Sequence, residues 1–144
     1  MRKLCSVLLI FMLLSWPALA ANTWTLGSQV FRRTVSIDSA LDLSSDANSC
    51  YGLLIVNTSA GGNLTVTLPA AAPQMSVTVW IQSAHAVTLD PAADETIKYD
   101  TGSTCAANET YVSDSAIGSI TTIYCIVAGT WQVVGDPKGD WTCT

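Results

Sequence analysis

Alternation with period two runs through most of this chain and leaves little room for helices. Leu64, Val66 and Leu68 face one way while Asn63, Thr65 and Thr67 face the other. Val77, Val79 and Ile81 alternate with Ser76, Thr78, Trp80 and Gln82, and Val87 with Leu89 and Trp131 with Val133 repeat the pattern. Half-buried strands read this way, and Thr and Val suit them. Gly52 to Val56 and Ile123 to Val127 are apolar on both faces, as expected of central strands or of strands whose outer face meets another subunit. Turn signals separate the segments at Asn57 to Gly62, Pro69 to Pro73, Asp90 to Asp94, Tyr99 to Ser103, Ala128 to Thr130 and Gly135 to Pro137. Asp38 to Ser49 fits a short strand or a single helical turn equally well. The expected fold is all-β, a single domain of about seven to ten short antiparallel strands in a sandwich, prism or barrel-like form.

The first twenty residues stand apart from this pattern. Arg2 and Lys3, the apolar run Val7 to Leu14, and Ala18-Leu19-Ala20 make the three parts of a secretory signal peptide, with cleavage expected after Ala20 or Ala21. The organisation read from the sequence is a signal peptide at 1–20, a strand-forming arm at 21–37 and a β-rich domain at 38–144. Removing 20 of the 144 residues leaves 124, with four basic residues against eleven acids, so the formal charge moves from −5 to −7. That balance argues against nucleic acid as a partner. The expected location is secreted: periplasmic, extracellular or cell-surface, with no membrane attachment through the processed chain.

Cys50, Cys105, Cys125 and Cys143 remain after Cys5 leaves with the leader. An even number in an exported chain reads as two disulfides with three connectivities. The favoured pairing is Cys105–Cys125, across what reads as strand, turn and strand, which leaves Cys50–Cys143. Spacings of 55, 20 and 18 residues do not suit zinc.

Chemistry-bearing residues are sparse. His85 is the single histidine, without a nucleophile elbow, and reads as a turn residue. Asp90, Asp94 and Glu95 form the tightest acidic group, a weak candidate for calcium in a loop that Asp-Pro alone would explain. No cofactor fingerprint is present, and no enzymatic activity is expected. Trp80 sits among polar neighbours on its face and is the candidate for contact with a subunit, a ligand or a second sheet. Trp24 and Phe31, in the apolar arm, are the other candidate interface residues, since such an arm can pair with a neighbour's edge or form the domain's own first strand.

Several motifs recur in a familiar order: Asn63-Leu-Thr-Val-Thr-Leu-Pro-Ala-Ala-Ala72, Val77-Thr-Val-Trp-Ile81, Val87-Thr-Leu-Asp-Pro91, Glu95-Thr-Ile97, Gly129-Thr-Trp-Gln-Val-Val-Gly135 and Gly139-Asp-Trp141. This order resembles β-rich structural and receptor-binding modules of bacteriophage tail fibres and tailspikes, over roughly Asn57 to Trp141. The resemblance implies a non-enzymatic, often trimeric scaffold. The export signal and cysteines depart from those modules, and an exported bacterial protein on a similar scaffold is the economical reading. Three functions follow as expectations. The first is a secreted structural or adhesive β-protein that forms homo-oligomers or filaments. The second is a secreted carbohydrate-binding module using exposed Trp. The third is a glycosidase using two acids.

Overall fold

The computed structural model describes residues 24–26, 29–100 and 103–144. The expected signal peptide and its cleavage point lie outside them. A hairpin opens the described chain, β1 (Trp24–Leu26) pairing antiparallel with β2 (Gln29–Phe31). There follow β3 (Arg33–Ile37), β4 (Leu41–Asp42), a 3-10 turn (Ala47–Cys50), β5 (Tyr51–Asn57), β6 (Leu64–Thr67), β7 (Ser76–Ile81) and β8 (Val87–Asp90). The second half carries β9 (Thr96–Asp100), β10 (Ser103–Thr104), β11 (Tyr111–Ser113), β12 (Ile120–Val127), β13 (Thr130–Val133) and β14 (Trp141–Cys143). The protein is all-β, as the alternation indicated. The ambiguous stretch from Asp38 to Ser49 contains both of its alternatives, a two-residue strand and a helical turn.

The pairing departs from an antiparallel reading. A larger sheet runs β10-β9-β13-β12-β7-β5-β3 and a smaller one β14-β11-β8-β6-β4. Within them β3, β5 and β7 are mutually parallel, and so are β4, β6 and β8. Parallel neighbours need a long connection between them. Here each connection includes a strand of the opposite sheet, so the chain coils through three rungs, β3–β4, β5–β6 and β7–β8. Leu53 lies beside Val77 and Leu64 beside Val87, 24 and 23 residues apart. Pro69-Ala-Ala71 and Pro91-Ala-Ala93 follow the smaller-sheet strands of two successive rungs. Proline cannot donate to the ladder and turns the chain back. The second half is antiparallel around β12, which joins β7 on one side and β13 on the other, and returns to a parallel pair at β9 and β13.

One apolar layer fills the space between the sheets. Leu53, Ile55, Val77, Val79, Ile81, Ile97, Ile123 and Trp131 contribute from the larger sheet, and Leu64, Val66, Val87, Leu89, Tyr111 and Trp141 from the smaller. These are the positions that alternation assigned inward. The larger sheet starts at Arg33, so the last five residues of the 21–37 arm belong to the sandwich itself.

A buried polar side chain fixes one corner of the coil. Asn57 is wholly buried at the end of β5. Its Nδ2 donates to the carbonyls of Ser83 (3.2 Å) and His85 (3.0 Å). Its Oδ1 accepts from the amides of Gln82 (2.6 Å) and Ser83 (3.1 Å). The turn that carries the chain from β7 to β8 is thus held by four bonds to one amide.

The cysteines pair differently from the favoured reading. Cys105 bonds Cys143, while Cys50 and Cys125 are buried thiols. Topology explains this. Cys105 follows β10 at the edge of the larger sheet, and Cys143 lies in β14 at the matching edge of the smaller. Tyr51 and Tyr124 both face Ser76, one from each side of β7. Cys50 and Cys125, each one residue away, are therefore held across two strand spacings, about 9.5 Å, beyond the ~7 Å Cα reach of a disulfide. Burial pushes the Cys50 thiol up to about 11 and raises Cys125 as well, with Glu95 nearby adding to the second effect. Residues 21–144 should show no thiol reactive to a colorimetric disulfide reagent when native and two after denaturation. Four would mean no bridge, and none would mean two.

Candidate functional site

The coil gives the molecule two unlike ends. At one, β3 and β4, the strands of the first rung, are the outermost strands of their sheets, and each has a single partner. Arg33 and Asp46 form an exposed ion pair there, 3.3 Å apart, of the kind that contributes little to stability. At the other end, the Cys105–Cys143 bridge, with Cα atoms 5.4 Å apart, ties the residue after β10 to β14. One end is open and the other is stapled.

The stapled end holds a groove of about 680 Å³, lined by Tyr99, Tyr111, Trp141, Thr142 and the Gly135–Asp140 turn. Tyr99 stacks on Tyr111 with ring centroids 5.9 Å apart and planes at 29°. Tyr111 in turn stacks on Trp141 at 5.4 Å and 26°. Tyr111 and Trp141 are buried, and Tyr99, 36% exposed, is the solvent-facing member of this ladder. Burial pushes the Tyr111 hydroxyl up to about 12.

The groove wall is tied to the strands behind it. Asp114 accepts the Ser119 hydroxyl at 2.6 Å and the Asp140 amide at 3.2 Å, and its own amide donates to the Asp140 carbonyl at 2.6 Å. Trp141 Nε1 donates to the Lys138 carbonyl at 3.2 Å. Gly139 has φ +82, and a Cβ there would lie 2.7 Å from Ser119 Cβ, so glycine is required by both conformation and space. The Ser119 hydrogen bond holds the Asp114 carboxyl below its usual value. A depressed carboxyl contributes stability above its unfolded pKa, about 3.9, and loses it as pH falls through the folded value. Trp141 fluorescence should therefore change below about pH 4, before the rest of the domain unfolds, and Asp114→Asn should remove that acid step.

The residues singled out from sequence are placed elsewhere. Phe31, 3% exposed, packs with Leu54 and Val56 on the outer face of the larger sheet, and half-buried Trp80 joins them. The neighbour that Trp80's polar face called for is thus a residue of the same chain. Trp24 lies in β1 opposite Phe31, and its side chain is outside the described residues. Glu95 turns inward, its Oε1 accepting the Ala71 amide at 2.7 Å. Exposed Asp94 adopts φ +66 in its turn, with its amide bonded to Asn108 Oδ1 at 3.2 Å. Among the described residues no three His, Cys, Asp or Glu side chains converge on one point. His85 is half-buried in the turn that Asn57 organises, and its backbone carbonyl is the atom engaged.

The groove residues Tyr99, Tyr111, Asp136 and Asp140 escaped sequence reading. They come from separate strands and turns, and Tyr99 was grouped with a turn although it lies in β9. No linear spacing links them. The outer face of the larger sheet also exposes Ile126 (63%), Val127 (64%) and Val134 (48%) on and beside β12 and β13. No family model, curated protein or solved structure matches the chain. No helix among the described residues is long and apolar enough to cross a membrane.

Proposed function

We propose that this chain is an exported, non-enzymatic structural or adhesive β-subunit that assembles edge to edge through its first rung. The observation that carries the reading is the open end. Both sheets finish there on the same side, in β3 and β4, with backbone donors and acceptors that an added strand would satisfy. Two copies meeting at these edges would continue both sheets at once, so one contact would satisfy two rows of backbone groups. The stapled end offers no equivalent, because its edge strands β10 and β14 are short and held against the body by the bridge. The order of motifs from Asn57 to Trp141, which resembles phage fibre modules, supports the same reading.

Light scattering on residues 21–144 tests it. The expected result is a discrete oligomer whose mass does not fall on dilution to micromolar concentration. Ser36→Lys and Asp42→Lys place a charge on the exposed edges of β3 and β4. Together they should reduce the mass to that of a monomer while changing stability by less than about 0.5 kcal/mol, as for other surface substitutions. A monomeric parent protein would overturn the assembly.

A further inference from the structure

We propose that the groove at the stapled end binds a neutral oligosaccharide, with Tyr99 as the stacking platform and Asp136 and Asp140 as acceptors for sugar hydroxyls. The volume, about 680 Å³, falls within the range of small-molecule sites, roughly 300–1,000 Å³. Its lining mixes ring surface with carboxylates, a threonine and the backbone of two glycines. A pyranose has the matching mixture, an apolar face of C–H groups and a rim of hydroxyls.

The platform is preorganised. Tyr99 is backed by Tyr111, and Tyr111 by Trp141, so presenting the outer ring to a ligand costs little side-chain entropy. The Asp114 bonds and the Cys105–Cys143 bridge hold the facing wall. Strand β14 pairs only with β11, which leaves backbone groups along its other side next to Thr142.

Competing ligand classes fit less well. An apolar molecule would strip water from Asp136 and Asp140 without replacing their hydrogen bonds. An organic cation is held by several ring faces or by converging acids, whereas one ring is exposed here and no acidic cluster forms among the described residues. A nucleic acid meets a chain of net negative charge.

The test is a panel of immobilised neutral oligosaccharides (gluco-, galacto-, manno- and N-acetylglucosamine-based), followed by calorimetry with the best binder. The full chain, secreted through its own leader, should bind at least one member of the panel. Tyr99→Ala should weaken that binding at least tenfold while circular dichroism and melting temperature stay unchanged. Tyr99→Phe should retain it, because the ring face remains. Asp140→Asn should weaken it severalfold, and Trp80→Ala should leave it unaltered. No binding across the panel, or equal binding by Tyr99→Ala, overturns the proposal. The Ser36→Lys/Asp42→Lys protein should bind a monovalent sugar as the parent does, so failure of edge assembly and failure of this site are separately visible.

Discussion

Replacing Cys105 and Cys143 together by serine should lower unfolding stability by about 4 kcal/mol, the chain-entropy value for a bridge of 38-residue separation. Domains of this size have only about 5–15 kcal/mol in total, so the loss would be a large share. Urea denaturation of oxidised parent and double variant reads it directly, as a lower midpoint. The effect should also be local. The bridge joins the edge strands of the two sheets where the Tyr99–Tyr111–Trp141 ladder sits, so Trp141 emission should report loosening before the coil of β3–β8 melts. A variant that lost less than 1 kcal/mol would mean that packing alone holds the two edges together.

Asn57→Leu should cost about 3–4 kcal/mol despite nearly conserving side-chain volume. Four hydrogen bonds to one buried amide vanish, leaving two amides and two carbonyls of the Gln82–His85 turn without partners. Each orphaned group costs on the order of 1 kcal/mol or more. Asn57→Asp separates donor from acceptor roles. It keeps the contacts from Gln82 and Ser83 but turns the Ser83 and His85 carbonyls toward a buried acid. Desolvation raises the folded-state pKa of such an acid above the unfolded value. The variant should therefore be most stable at low pH and lose stability as pH rises through that raised pKa. A flat pH dependence between 4 and 8 would show that this corner admits water.

Much of the architecture was legible because alternation reports which face of a strand is buried. Val66, Val77, Val79, Leu89 and Trp131 are core residues because their neighbours at odd spacing are polar or outward-facing. Alternation is silent about partners. Whether Leu64–Thr67 pairs with the next strand in sequence or with the next but one depends on long-range closure, and here it pairs with Val87–Asp90. The recurrence of Leu64-Thr-Val and Pro69-Ala-Ala in Val87-Thr-Leu and Pro91-Ala-Ala carried that information, because equivalent rungs ask for equivalent residues. The cysteine pairing was illegible for the same reason, since the bridge joins edges that only the sheet order makes adjacent. Asn57 read as a turn residue, because nothing in Asn57-Thr-Ser59 reveals that its amide reaches a turn about 25 residues later. The groove was invisible until β9, β11 and β14 were brought to one end.

The coil in the first half also makes the molecule extensible. Each rung offers the next the same pair of edges and the same inward apolar set, so a unit of about two dozen residues is interchangeable with its neighbour in the manner of a repeat protein. Adding a copy of one between β5–β6 and β7–β8 would lengthen the body by one strand spacing in each sheet. It would leave the open end, the covalently closed end and the groove unchanged. A lineage using such a chain could set the reach of its surface subunit by duplication, with no new interface to evolve.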